Sequence, residues 1–328
     1  MRSELLLGAA ALVAALLGCA KQAPPGEGAA SAATRVGVAP AFAAASASAS
    51  VLGASRLPQQ EVTWTYASTP VGPMNAVVVL PERAPDERFP LLITFHGMGE
   101  ARKGPEKGAR GWIDDYGLLR AIERLQHPPL TAADLQGFVD DARLAKLNAA
   151  LAAQPYRGLV IVNSYTPDML RGDEPFSKIP PLAKFVVGEL LPRAGRETPA
   201  IGTPQTIGID GISLGGRASL AIALRNPEAF AAVGGLQPAF DLDNAGAVAQ
   251  RALLAKQKNP ALSFRLLTSD GDYFLASTKA ISVAMKQAGV AHELVVVPGP
   301  HDYPFNRGPA VYEMLLHHDR VLRGLPPI

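Results

Sequence analysis

The chain has 328 residues, 48% of them hydrophobic and 18% charged, enough apolar material to bury the core of one large domain or two ordinary ones. Its formal net charge is only +2 and it shows no basic stripe interleaved with aromatics, which excludes nucleic acid as a partner class. A single cysteine, Cys19, rules out a disulfide framework.

In chain order, the first feature is the apolar run Leu5 to Leu17 behind Arg2, followed by the small residue Gly18. The run is too short to span a bilayer, which takes about 20 residues, so it reads as an export signal over residues 1–18. Leu16-Leu17-Gly18-Cys19 resembles the lipobox of bacterial lipoproteins, which implies a lipid on Cys19 and contact with the membrane through that anchor alone. Ala20 stands where an aspartate marks inner-membrane retention in such proteins, so the resemblance implies an exported protein held at the bacterial outer membrane. Residues 19–56 are alanine, serine, glycine and proline with hardly any large apolar side chain. They cannot bury enough area to offset their ordering entropy, and a flexible tether is expected there.

From Glu61 onward strand and helix patterns alternate. Strands are expected near Val62–Ala67, Asn75–Leu80, Leu91–His96, Gly158–Asn163, Thr206–Ile212, Ala229–Leu236, Phe264–Ser269 and Glu293–Pro298. The clearest helices are Asp141–Ala153, Pro181–Leu191, Leu214–Asn226, Ala245–Lys256, Leu275–Gly289 and Pro309–Arg323. Continuous apolar runs such as Leu91 to Phe95 and Leu159 to Val162 suit strands covered on both faces. They predict an α/β domain over 57–328, with a mainly parallel central sheet and helices on both faces. The first two strands lie close together without a helix between them and suggest an antiparallel start. Residues 98–140 are long for a strand-to-helix connection and read as an insertion of the kind that covers a site.

Within this frame the chemistry centres on Gly211-Ile212-Ser213-Leu214-Gly215, directly after the run Thr206 to Asp210. A serine on a sharp strand-to-helix turn is exposed to solvent, and glycine two places either side removes side chains that would collide as strand and helix fold back on each other. A serine nucleophile needs a base and a group to orient it. Of the six histidines, His301 lies in a turn-rich loop after the last expected strand and is the candidate base. His127, His292, His317 and His318 fall on helices or at a strand start, where solvated or packing roles are expected. The acid should lie between Ser213 and His301 in sequence. Ser269-Asp270-Gly271-Asp272 offers two carboxylates, of which Asp272, beyond the Gly271 turn, is favoured. Asp270 reads as holding its own turn, with Asp241 and Asp243 as further alternatives. An oxyanion needs two backbone N–H donors already in place. Leu214 supplies one, and the loop His96-Gly97-Met98-Gly99 the other, through Met98 N–H first or Gly97 as the alternative, with His96 bracing the loop.

Gly211 to Gly216, the Asp272 turn and His301-Asp302-Tyr303 make residues 60–328 resemble the α/β-hydrolase superfamily. Within it the likeness is to the esterase group that includes S-formylglutathione hydrolase (esterase D) and feruloyl or acetyl-xylan esterases. The resemblance implies hydrolysis of a small-molecule or polysaccharide-linked carboxylic ester through an acyl-enzyme, with no metal and no organic cofactor. Trp112 to Tyr116, inside the insertion, matches nothing in that pattern. Two other readings stay open at this point. One is a peptidase of the prolyl-oligopeptidase type, although no propeller precedes the catalytic part. The other is a surface lipoprotein that binds without turnover, which would have lost a member of the triad.

Overall fold

The computed structural model describes residues 56–170 and 177–328. The signal expected over 1–18, Cys19 and all but the last residue of the tether lie outside the described residues. Among the described residues, no helix is long and apolar enough to cross a membrane.

Eight strands form one sheet: β1 (Gln60–Tyr66), β2 (Met74–Leu80), β3 (Leu91–Phe95), β4 (Val160–Ser164), β5 (Ile207–Gly211), β6 (Ala232–Leu236), β7 (Ser263–Gly271) and β8 (Glu293–Pro300). Their spatial order is β1-β2-β4-β3-β5-β6-β7-β8. β1 and β2 pair antiparallel over seven residues, Gln60 opposite Leu80 to Tyr66 opposite Met74, and β2 pairs antiparallel with β4. All later pairings are parallel. The mainly parallel sheet with an antiparallel start is what the apolar runs predict. Every residue of β3, β4, β5 and β6 is buried, because parallel strands are covered on both faces. Edge strand β1 buries only Trp64.

The side-chain alternation of β3 divides the core into two layers. Leu91, Ile93 and Phe95 pack into one, with Ala183, Leu220, Ala252 and Ile281 of the helices on that face. Leu92 turns to the other and meets Leu125, Leu147 and Leu316. Helices therefore cover both faces, as a period of two along a doubly buried strand requires.

Two segments depart from expectation. The helix expected to stop at Leu191 continues through a wide turn, Val186–Leu190, into Leu191–Glu197. Pro192 lacks an N–H, and the widened turn accommodates it without ending the helix. The insertion 98–140 carries helices of its own, including Leu118–Gln126, which buries Leu118, Ala121, Ile122 and Leu125 on one face. That spacing is an amphipathic stripe, although the sequence analysis placed no helix within the insertion.

From β3 the chain crosses to β4 on one side and later to β5 on the other. This reversal opens a crevice at the carboxyl ends of β3 and β5, where ligands bind in sheets of this kind. β5 is held from below: buried Asp210 accepts from Gly211 N–H at 2.7 Å and pairs with buried His318 Nε2 at 2.9 Å. His318 thus has the packing role expected of it, and braces the strand that leads into Ser213.

Candidate active site

Ser213 sits between β5 and the helix Leu214–Arg225 with φ 56 and ψ −115, a backbone conformation costly for any residue with a Cβ. The surrounding packing imposes it. Ser213 N–H donates to Leu236 O at 2.9 Å, and Ser213 O accepts from Ala239 N–H at 3.0 Å and Arg217 N–H at 3.0 Å. The two flanking glycines are sterically required. A Cβ on Gly211 would lie 2.6 Å from the Gly215 carbonyl, and one on Gly215 would lie 2.2 Å from Phe95 O. The helix start can press against the ends of β3 and β5 only because neither residue has a side chain.

His301 follows β8, and its Nδ1 lies 2.7 Å from Asp272 Oδ1. The Asp272 side chain is fully buried. Its Oδ2 accepts from Thr268 Oγ1 at 2.6 Å and its Oδ1 from Phe274 N–H at 3.0 Å, so the carboxylate has donors on both oxygens and a fixed orientation. The other acids do not meet the imidazole. Asp270 links β7 to β8 and does not hold its own turn, because its Oδ1 accepts from Gly299 N–H at 3.0 Å. Asp241 is 77% exposed at its side chain and pairs with Arg217 at 3.5 Å, and Asp243 is exposed after the same strand. Asp302 turns away from the imidazole and caps the next turn through Phe305 N–H at 2.9 Å.

The loop after β3 is braced from within. His96 is buried, which pushes its pKa down to about 4, so the ring is neutral at pH 7. Its Nε2 accepts from Thr166 N–H at 2.9 Å, which leaves the proton on Nδ1 to donate to Gly97 O at 3.0 Å. Ala101 N–H also donates to Gly97 O, at 3.2 Å. Since a trans peptide points its C=O and N–H in opposite directions, fixing the Gly97 carbonyl fixes the Met98 N–H on the other side of the same plane. Gly97 N–H has a different fate and donates to Tyr116 Oη at 3.1 Å. Of the two donors that the loop offered, Gly97 is engaged and Met98 is the one aimed away from the brace. Leu214, as first residue of its helix, has an N–H without an intrahelical acceptor.

Beneath this loop lies a polar network that the sequence reading did not assemble. Glu100 is 1% exposed and accepts hydrogen bonds from Tyr116 Oη on one oxygen and from Tyr303 Oη on the other, the latter at 2.7 Å. Burial, followed by Glu100, raises the Tyr116 hydroxyl well above the ordinary phenol range and pushes that of Tyr303 in the same direction, so both phenols keep their protons and donate. Lys103 Nζ lies 3.6 Å from Glu100 and 2.6 Å from Asp115. The Trp112 to Tyr116 segment therefore places Tyr116 against the loop after β3, where its hydroxyl accepts from Gly97 N–H. The available signal was a glutamate directly after His96-Gly97-Met98-Gly99 together with the unassigned tyrosine of the insertion.

Ser213, His301, Gly97, Met98, Glu100, Tyr116 and Tyr303 line one cleft of about 340 Å³. Tyr273, 80% exposed, has its ring 5.3 Å from that of His301. A larger groove of about 540 Å³, lined by Arg217, Arg225, Arg251 and Phe240, contains none of Ser213, Asp272 or His301, so size alone does not locate the chemistry. Among the described residues, no group of three or more histidine, cysteine, aspartate or glutamate side chains is arranged to hold a metal ion.

The chain matches no family model and no curated protein, whereas solved structures match it well. A ferulic acid esterase aligns over 80% of this chain and 99% of its own, with 20% identity and a TM-score of 0.60. An S-formylglutathione hydrolase from Agrobacterium tumefaciens aligns over 82% and 98%, with 18% identity and a TM-score of 0.53. The feruloyl esterase module from Clostridium thermocellum, solved in complex with sinapinate, aligns over 79% and 87%, with 16% identity and a TM-score of 0.54. Identities this low speak for architecture and not for substrate. The strand order, the crevice at the reversal and these shared backbones together establish that this chain has the α/β-hydrolase fold.

Proposed function

We propose that the protein is a serine esterase that cleaves a carboxylic ester through an acyl-enzyme. The observation that carries this reading is the cleft shared by Ser213, on its strained turn, and His301, whose Nδ1 is held at 2.7 Å by the buried carboxylate of Asp272. In this mechanism His301 Nε2 takes the Ser213 hydroxyl proton as Oγ attacks the ester carbonyl, and returns it to the leaving alcohol. Asp272 fixes the tautomer with Nδ1 protonated and stabilises the imidazolium. The negative charge on the former carbonyl oxygen is met by the N–H groups of Met98 and Leu214. Water then enters, His301 takes its proton as the water oxygen attacks the acyl carbon, and the proton passes to Ser213 Oγ as the Oγ–acyl bond breaks, which releases the acid and restores the free serine. All the groups needed are side chains and backbone of this chain, so the reaction calls for no metal and no organic cofactor.

A cleft of about 340 Å³ lies at the small end of ligand sites, which favours an ester of a small acid whose alcohol, free or part of a polysaccharide, extends past Tyr273 into solvent. The expected result is turnover of short-chain and aryl p-nitrophenyl esters by protein lacking residues 1–55. Absence of turnover across a graded series of acyl, aryl and sugar esters would remove the esterase reading and leave a binding role.

We also propose that Cys19 carries the lipid that holds the enzyme at the outer membrane. One acyl chain binds a membrane marginally and two or more hold it stably, so Cys19→Ser should shift the full-length protein from the membrane to the soluble fraction with its activity intact. An intact mass showing an unmodified Cys19 in the membrane-extracted protein would refute the anchor.

A further inference from the structure

The nucleophile, acid and base candidates sit on three separate strand ends, and one short segment touches all three. It runs from Leu236, the last residue of β6, to Ala239. It grips Ser213 at both backbone groups, through Leu236 O at 2.9 Å and Ala239 N–H at 3.0 Å. Between these two contacts lies Gln237, whose N–H donates to Leu267 O of β7 at 2.6 Å. Its side chain reaches further: Nε2 donates to Ser269 Oγ at 2.7 Å and to Pro300 O at 3.0 Å. Pro300 O can only accept, so the amide must face it with nitrogen. Ser269 in turn accepts Asp272 N–H on its carbonyl at 3.2 Å, and its hydroxyl lies 3.4 Å from Pro300 O. Pro300 is bonded directly to His301.

Gln237 makes these contacts in a conformation that costs stability. Its φ is 43, in the left-handed region that glycine and asparagine tolerate far better. It is fully buried, and its Oε1 is buried without a partner among the described residues, which carries a desolvation penalty. An apolar residue would fill the same space without that penalty. Costs of this kind persist where the geometry they impose is used.

We propose that Gln237 is a positioning residue for the reaction. It ties the acid-bearing end of β7 and the base-bearing loop after β8 to the segment that holds the nucleophile, and so sets the alignment of the His301 imidazole between Asp272 and Ser213. The proposal rests on the esterase reading for its kinetic consequence and on geometry alone for its structural one.

Gln237→Gly is the informative variant, because glycine adopts φ 43 freely and only the side-chain bridge is lost. With p-nitrophenyl acetate, kcat should fall roughly 10- to 100-fold while KM stays within about threefold, the size expected of a displaced catalytic group. The second readout needs no turnover. The downfield proton resonance of His301 Nδ1–H, identified by its disappearance in Asp272→Asn, should broaden away or move upfield in Gln237→Gly. Gln237→Asn keeps the backbone preference but is one methylene too short to span both oxygens, and answers the same question if the glycine variant fails to fold. Ser269→Ala should be non-additive with Gln237→Gly, since both cut one network. An unchanged resonance in the folded variant overturns the proposal, as does an unchanged kcat; a purely structural residue would lower the melting temperature and leave both as in the wild type. A wild type that turns over no ester would fail the esterase reading instead, and the resonance would still decide the role of Gln237.

Discussion

Ser213→Ala is expected to lower kcat by about 10⁶-fold, the scale of nucleophile removal in serine hydrolases, with the melting temperature close to that of the wild type. The two halves of this expectation have separate causes. Activity is lost because no other hydroxyl stands at the elbow to attack the ester. The fold is retained because alanine meets the same backbone strain at φ 56 as serine does, and the contacts that enforce it, from Leu236 O and Ala239 N–H, are made by the backbone. A fluorophosphonate probe should label the wild type at Ser213 and leave the variant unlabelled. Labelling at Ser269, or wild-type turnover by a correctly folded alanine variant, would place the chemistry elsewhere.

Asp272→Asn should cost up to about 10⁴-fold in kcat, and Asp270→Asn far less. Asparagine keeps the shape of Asp272 and removes the charge that stabilises the imidazolium. It can also present its NH₂ group to His301 Nδ1, which fixes the ring in the tautomer unable to take the Ser213 proton. The buried carboxylate with three donors around it, His301, Thr268 and Phe274, has no solvent to compensate the substitution. Asp270 is exposed and its Oδ1 accepts from Gly299 N–H, so its substitution perturbs one contact between β7 and β8, strands that already pair. Steady-state kinetics of the two variants side by side provide the check. A larger loss at Asp270 would mean that the Ser269 to Asp272 turn presents the other carboxylate to the histidine.

The features legible along the chain are those that depend on neighbouring residues. The sheet was legible because a strand buried on both faces must be continuously apolar, as Leu91 to Phe95 is. The elbow was legible because glycine, serine and glycine must occur at fixed spacing where a strand folds sharply into a helix. The candidate base and acid followed from chain order and from turn residues beside strand ends. Tertiary structure decided what depends on residues far apart. Glu100 meets Tyr303 across 203 positions, and Asp210 meets His318 across 108. Neither pair leaves a local pattern, because a hydrogen bond between distant side chains constrains no periodicity in either segment. The choice between Asp270 and Asp272 also lay beyond the sequence, since the two carboxylates are two residues apart and only the path of the chain after Gly271 decides which one faces His301. Gln237 was the least visible. As a polar residue after a strand it reads as an ordinary loop position, and only the convergence of β5, β7 and β8 around it turns one amide into a link between three strand ends.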